Sequence, residues 1–226
     1  MSVMQLQETK ARNLPWPIEW YDVTCQSCQR LHTFLQVTAE KYPDHRCQPV
    51  PPFGDRAARL QIVGLAPGMH GANASGRAFT GDFAGILLYQ TLHQFGYASK
   101  PTATALNDGL ELHDCRITNA VKCLPPANKP VAAEINNCNT FLVAELSGLP
   151  SNAIILALGR IAHDAVLRAY ALRKSHYRFG HNASHPLPGG ITLVDSYHCS
   201  RYNTQTRRLT PAMFEEVFEQ IKVLMG

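Results

Sequence analysis

Short apolar stretches alternate with longer amphipathic segments along the chain, and this alternation predicts strands and helices in turn. The four apolar stretches are Leu60 to Leu65, the CRITNAV core of Gly109 to Lys122, Asn152 to Leu158, and Gly190 to Asp195. Each is too short for a typical helix and is bordered by glycine, proline or polar residues, a pattern that favours buried strands.

Helical spacing of apolar residues recurs around these stretches. It is found from Cys25 to Tyr42, from Ala132 to Leu146, after Gly159, and from Pro211 to Met225. Because strands and helices alternate, the sequence predicts an α/β fold, a three-layer α/β/α sandwich with a central four-stranded parallel sheet. The 226 residues fit a single domain over residues 1–226, in which we expect residues 1–24 to form an N-terminal arm.

A glycine-rich loop, Gly64 to Gly85, follows the first predicted strand and leads into a predicted helix. Low side-chain bulk lets a ligand approach the backbone, and α/β folds place pockets at the carboxyl ends of their strands. The loop has neither a GxxxxGK[ST] nor a GxGxxG pattern, which argues against a nucleoside triphosphate or NAD. A surface turn without a ligand is the alternative. Five polar side chains argue against that alternative: His70, Asn73, Arg77, Thr80 and Asp82.

The overall charge is mildly basic, with a net charge of +4 and a pI of about 8.7. This balance permits a local basic face without requiring one. No run of eighteen apolar residues is present, and the N-terminal segment lacks the basic-then-apolar layout of a signal peptide. We therefore expect a cytoplasmic location and no membrane partner.

Seven cysteines in a chain without an export signal are expected to be mostly reduced. Cys25 and Cys28 form a CxxC at the start of a predicted helix. Cys123 precedes the predicted helix from Ala132 to Leu146, and Cys138 lies within that helix. Four thiolates fit zinc and an iron–sulfur cluster equally well by number, and the spacing is specific to neither. Reduced core cysteines with a chance CxxC are the alternative.

Three longer segments resemble the signature segments of the iron–sulfur uracil-DNA glycosylases of family 5, also called type b. These segments are GLAPGMHGANASGRAFTGD, ITNAVKCLPP and DSYHCSRYNTQTRRLTP, and the resemblance covers the chain from about Cys25 to the last helix. It implies a hydrolase that flips out and excises uracil, and also hypoxanthine or xanthine, from DNA and leaves an abasic site without lyase activity. It also implies a structural [4Fe-4S] cluster held by Cys25, Cys28, Cys123 and Cys138.

The residues in these segments suit base excision, which needs a pocket for the flipped base and stabilisation of the leaving base. Phe79 offers a stacking face, Asn119 can pair with the O4 and N3–H edge of uracil, and His198 can donate to O2 as charge builds there. The resemblance places a Glu of the type a enzymes at Leu65, so Asp82 is the carboxylate that remains to stabilise the sugar cation or orient water. The complete predicted base-binding set is Gly64, Ala66, Gly68, His70, Asn73, Phe79, Asn119 and His198.

Each of these side chains also has a structural interpretation. Asp82 can cap the following helix, Asn119 can cap a strand end, His198 can be a core histidine, and Phe79 can be core. We expect His163, which follows Gly159 at a helix start, to cap or pack. The sequence alone does not decide between these interpretations.

Arg77, Arg201, Arg207 and Arg208 are the predicted DNA-binding cations, with a solvated basic face as the alternative. Arg207 replaces a glycine of the family pattern. If that glycine takes a positive φ, Arg207 strains the turn; otherwise it only adds charge. The rival function is a non-catalytic binding module for damaged DNA, which the missing acid at Leu65 suggests, and a zinc-stabilised nucleotide-binding protein is a third hypothesis. We expect a monomer.

Overall fold

The computed structural model describes residues 16–226, so most of the predicted N-terminal arm lies outside the described residues. Six strands form one mixed sheet in the order β1-β3-β2-β4-β6-β5. Their bounds are β1 Phe53–Gly54, β2 Leu60–Gly64, β3 Cys115–Asn119, β4 Ile154–Leu158, β5 Ser184–Leu187 and β6 Ile191–Ser196. The α-helices in this part of the chain are α1 Gln29–Lys41, α2 Ala72–Ser75, α3 Phe83–Gln94, α4 Ala132–Ser147, α5 Arg160–Ala169, α6 Arg201–Gln205 and α7 Pro211–Met225.

The four predicted strands are the parallel centre of the sheet, β3-β2-β4-β6. The prediction of a four-stranded sheet is incomplete, because β1 and β5 pair antiparallel at the two edges. β1 has two residues and β5 reads SHPL, with Pro186 in its middle, so neither shows a strand pattern in the sequence. A proline within a strand is tolerated at a sheet edge, where its missing N–H breaks no central ladder.

Helices cover both faces of the sheet, as the α/β/α prediction requires. Along β4, Ile154, Leu156 and Leu158 belong to the hydrophobic cluster that α3 and α7 share. The alternate residues Ile155 and Ala157 belong to the cluster shared by α4 and α5. The two-residue period of a strand thus distributes one apolar run between two cores, which explains why these strands lack polar alternation.

A buried ion pair links the sheet to the helical layer next to the cysteines. Lys122 and Glu145 are both fully buried, and the Lys122 ammonium contacts the Glu145 carboxylate and the Thr118 hydroxyl. The pair joins the loop after β3 to α4. Thr118 and Glu145 thus fix the side chain of Lys122, the residue immediately before Cys123.

None of the helices within residues 16–226 has both the length and the apolar character needed to cross a membrane.

Candidate active site and cysteine centre

A cavity of about 560 Å³ opens at the carboxyl ends of β2, β3 and β4. The loops after these strands and after β6 form its walls, as expected for a ligand site in a parallel α/β sheet. Phe79, Asp82, Asn119 and His198, the four residues predicted to act on the base, all line this cavity. Ala66 and Gly68 line it too.

Asp82 occupies the position before α3, but its carboxylate does not cap that helix. The side chain turns back into the glycine-rich loop, where it accepts a hydrogen bond from the Ala72 N–H at 3.0 Å. A Cβ on Gly71 would lie 2.0 Å from the carboxyl carbon of Asp82, and one on Gly68 would lie 2.4 Å from its Oδ1. These two glycines therefore provide the space that the carboxylate occupies beside the cavity.

The environment of Asp82 favours its neutral form more than water does. Burial raises the pKa of the carboxyl group, and hydrogen bonds from the Ala72 and Gly68 backbone oppose this increase. A desolvated carboxylate interacts strongly with a nearby cation because little water screens it. Asp82 thus lines the cavity and does not cap α3, the helix that it precedes.

Phe79 has a strained backbone and forms one wall of the cavity. Its φ is +56°, in the left-handed region that is rare for a bulky side chain. The carbonyl oxygen of Phe79 lies so close to Gly85 that a Cβ there would be 1.8 Å away, and a Cβ on Gly64 would be 2.7 Å from the ring. Gly64 therefore leaves room for the ring of Phe79 and Gly85 for its carbonyl group. Left-handed backbone strain of this kind is characteristic of functional sites.

Asn119 is the last residue of β3 and is 4% exposed. Its Oδ1 is buried and has no hydrogen-bond partner among the described residues, although the side chain lines the cavity. Leaving a buried amide oxygen unpaired costs about 1–3 kcal/mol. A ligand that donates a hydrogen bond inside the cavity would remove this cost.

His198 lies after β6 and stacks on Phe79, with ring centroids 6.0 Å apart and an angle of 28° between the rings. Desolvation lowers the pKa of His198 to about 4, so the imidazole is neutral at physiological pH. Its Nδ1 is buried without a hydrogen-bond partner in the described structure. The backbone is held by Asn203, whose Nδ2 donates to the His198 carbonyl at 2.8 Å.

Three predicted base-binding residues in the glycine-rich loop, Gly64, His70 and Asn73, do not line the cavity. His70 is exposed and packs edge-on against the rings of Tyr42 and His45. Asn73 is fully buried, and its Nδ2 lies 3.4 Å from the Met69 carbonyl oxygen. The geometry of both residues is that of loop support. Gly64 lies behind the cavity wall, between Asn119 and Phe79.

The four predicted DNA-binding arginines have different environments. Arg77 is 2% exposed and its Nη2 lies 2.7 Å from Asp108 Oδ2. Contrary to the prediction, its guanidinium is therefore paired inside the protein and is not available to bind DNA. Arg201 is exposed and lies over the ring of Phe83 at the cavity rim. Arg207 and Arg208 are also exposed, and Arg207 has a φ of +55°, so the turn requires a positive φ at this position.

Arg160, Ile161 and Tyr202 also line the cavity, and none of them was predicted from the sequence. Arg160 and Ile161 follow the carboxyl end of β4, the same placement that drew attention to Asn119. Tyr202 stands within the third signature segment and is 70% exposed. Their position after a strand end was the available signal.

Cys25, Cys28, Cys123 and Cys138 line one small cavity, although more than a hundred residues separate the first from the last. The Lys122 N–H donates to Cys138 Sγ at 3.2 Å, and Asn137 Nδ2 donates to Cys28 Sγ at 3.6 Å. Burial raises the pKa of Cys123 and raises that of Cys138 to about 11. A bound cation is what would hold such buried sulfurs as thiolates.

A salt bridge links two of the elements that carry or adjoin these cysteines. The Arg30–Glu134 ion pair, at 2.7 Å, links α1, which begins after Cys28, to α4, which carries Cys138.

His163, His185 and Asp195 form a second cluster of possible metal ligands, whose ligand atoms lie within 4.8 Å of one another. Hydrogen bonds account for this closeness: Asp195 lies 2.8 Å from His163 Nδ1 and 3.3 Å from His185 Nε2. The second ring nitrogen of His163 lies 3.0 Å from the Tyr177 carbonyl. His163 therefore packs, as expected, and joins α5 to β6.

A cavity lined by aromatic rings, apolar side chains and a few polar groups at the carboxyl edge of a parallel sheet defines an α/β protein with a candidate ligand site. The family model described as the uracil DNA glycosylase superfamily matches residues 51–222, and the chain belongs to this superfamily.

Individual relatives agree with this assignment. The type-5 uracil-DNA glycosylase of Thermus thermophilus is 45% identical over 207 residues, which cover 89% of this chain and 94% of the relative. The type-5 enzyme of Pyrobaculum aerophilum is 36% identical over 214 residues, covering 90% and 93%. A type-4 uracil-DNA glycosylase of Pyrobaculum aerophilum is 29% identical over 201 residues, covering 88% and 93%. The chain is thus similar to both types, with higher identity to type 5.

Proposed function

We propose that this protein is a DNA repair glycosylase that flips uracil out of DNA and hydrolyses its N-glycosidic bond, leaving an abasic site. The single observation that carries the proposal is Asn119, which lines the cavity and whose buried Oδ1 has no hydrogen-bond partner among the described residues. An unpaired acceptor matches the N3–H donor of uracil, and the amide NH₂ matches O4. The names and high coverage of the type-5 relatives support this assignment.

In the proposed reaction, the flipped base stacks on Phe79 and pairs with Asn119. The bond between C1′ and N1 breaks, and its electron pair stays on the uracil ring, where a ring N–H of neutral His198 donates to O2. Fixed donors that face developing charge contribute about 3 kcal/mol each. A water oxygen then bonds to C1′ and its proton passes to solvent, from which the uracil anion takes up a proton; Asp82 stabilises the cationic sugar or orients that water. Leu65 lines the cavity without offering a second acid.

We propose hypoxanthine and xanthine as further substrates, since a cavity of about 560 Å³ exceeds what a pyrimidine fills.

We also propose that the enzyme has no lyase activity. A lyase requires an accessible amine, whereas the Lys122 ammonium is buried in its ion pair with Glu145 and does not line the cavity. We further propose that the protein acts on DNA as a monomer in the cytoplasm.

The resident cofactor that we propose is a [4Fe-4S] cluster on Cys25, Cys28, Cys123 and Cys138. When bound, it supplies a covalent link between the start of α1, the loop after β3, and α4, with no redox step in the hydrolysis. Iron analysis and absorbance near 400 nm test this proposal. Cys138→Ser should lose both signals, whereas Cys47→Ser, outside the cavity, should keep them; zinc in place of iron would contradict the cluster.

The function is tested by single-turnover release of uracil from a duplex with one deoxyuridine. Wild type should release uracil, and Asn119→Ala and His198→Ala should each release it about 10²-fold more slowly. His176→Ala, which removes an exposed histidine, is the control and should match wild type. A wild-type protein that binds the duplex but releases no uracil, hypoxanthine or xanthine would be a binding module and not an enzyme.

A further inference from the structure

A second cavity, of about 290 Å³, adjoins the base cavity and is not explained by base binding. The two cavities share Gly159, Arg160 and His198. We call the second cavity the phosphate groove. Its remaining described lining consists of Phe179, Gly180, Tyr197, Asn203 and Arg208, so it has two arginines and no carboxylate.

Both arginines of the phosphate groove are held over aromatic rings. The guanidinium of Arg160 lies 5.4 Å from the ring centroid of Phe179, and that of Arg208 lies 4.7 Å from that of Tyr197. A cation over an aromatic face gains about 0.5–1 kcal/mol at an exposed site. The stacking also limits the orientations of the guanidinium, so less freedom is lost when it binds a ligand.

Neither arginine is neutralised by an acidic partner in the described part of the chain, and both are exposed. Arg77 shows the opposite arrangement, with its guanidinium paired to Asp108. Free, pre-oriented guanidinium groups match the oxygen atoms of a phosphate, to which arginine can donate two hydrogen bonds at once. The groove therefore suits a phosphodiester.

We infer that the phosphate groove binds a DNA phosphate directly next to the flipped nucleotide, with Arg160 as its positioning residue. The inference rests on the proposed function. Arg160 borders both cavities. When a base of a DNA strand lies in the first cavity, the adjacent phosphate of that strand therefore lies next to the second cavity. Because binding the phosphate fixes the sugar relative to Asp82 and His198, Arg160 contributes to orientation at the reacting carbon.

The test couples a change in the protein to a change in the DNA. Methylphosphonate, which is uncharged, replaces the phosphate 5′ or 3′ to the deoxyuridine, and uracil release is measured with wild type and Arg160→Ala. We expect one of the two replacements to lower kcat/KM of wild type about tenfold, as for loss of a charge-assisted hydrogen bond. Arg160→Ala should show a similar loss with normal DNA and less than about a twofold further effect of the replacement.

Arg168→Ala is the matched control, because Arg168 is also exposed and stands at the other end of α5. This variant should retain the full sensitivity to methylphosphonate. In binding experiments, Arg160→Ala should lower the slope of log affinity against log salt by about one, the value for one lost phosphate contact. Thermal unfolding and iron content verify that each variant is folded.

Equal sensitivity to methylphosphonate in wild type and Arg160→Ala would overturn the inference, as would the same loss of coupling in Arg168→Ala. If wild type releases no base, the proposed function fails on its own. In that case, the affinities of wild type and Arg160→Ala for the normal and methylphosphonate duplexes measure the coupling between Arg160 and the phosphate. The two proposals therefore stand or fall separately.

Discussion

The carboxylate of Asp82 fills the space beside Gly71 where any other residue would place its Cβ, at 2.0 Å from the carboxyl carbon. The glycine and the acid therefore form a matched pair. The N–H of Ala72, the next residue after Gly71, completes the arrangement by donating to the carboxylate.

We predict that Gly71→Ala inactivates the enzyme through Asp82. The added methyl group displaces the carboxylate, and a shift of about 1 Å in a catalytic group can lower the rate about 10²-fold. Single-turnover uracil release measures the effect. Gly148→Ala is the control, because a Cβ there lies at 3.4 Å from Trp20, an ordinary contact, and neither residue lines the cavity. Full activity of Gly71→Ala would contradict the role of the pair.

Asp82→Asn should lower activity about 10²-fold or more without lowering stability at neutral pH. Burial raises the pKa of Asp82, so the stabilising form is the protonated one, and its contribution is lost as pH rises through the folded-state pKa. The variant cannot ionise and keeps an acceptor for Ala72. Thermal unfolding should show that the advantage of Asp82→Asn over wild type grows from acidic to neutral pH. A variant that is inactive and also destabilised at neutral pH would indicate a structural carboxylate.

The imidazole of His198 should remain neutral between pH 5 and 8. Its pKa of about 4 results from desolvation, whereas an exposed histidine ordinarily titrates within this range. Nitrogen chemical shifts of the ring, followed by NMR, measure the protonation state directly. The pH dependence of uracil release in this interval should then arise from other groups. A ring that titrates near neutrality would mean that His198 acts as a cation.

Arg207→Gly should stabilise the protein by about 1 kcal/mol, because Arg207 has a φ of +55° and left-handed backbone costs a non-glycine residue about this much. For a chain of this size the gain corresponds to ~2–4 °C in Tm. Arg207→Ala loses the same charge but keeps a Cβ, so it should not gain stability. Both variants should weaken DNA binding equally. An equal Tm for the two variants would show that the turn is not strained.

The sheet centre was predictable because strands buried on both faces consist almost wholly of apolar residues, which form visible runs. The edge strand with Pro186 was not, since its pairing depends on β6 and not on its own sequence. For the site, placement after a strand end indicated Asn119 and His198, and both side chains line the cavity. Position within a loop does not give side-chain direction, so His70 and Asn73 were assigned to a cavity that they do not line.

Contacts between residues distant in sequence explain why the environment of Arg77 differs from the prediction. Arg77 is neutralised by an ion pair with Asp108, which lies 31 positions away in the sequence, and no local sequence pattern indicates this pair. The family pattern did identify the four cysteines, and the fold places them around one cavity. Burial and ion pairing are thus the properties that the sequence did not provide.

The two short antiparallel edges of the sheet affect how the protein behaves at high concentration. A parallel sheet that ended in a long, flat strand would expose a row of N–H and C=O groups on which a second molecule could add a strand and begin to aggregate. Here β1 offers two residues, and β5 is interrupted by Pro186, which has no N–H to donate. Molecules at high concentration are thereby less prone to join edge to edge.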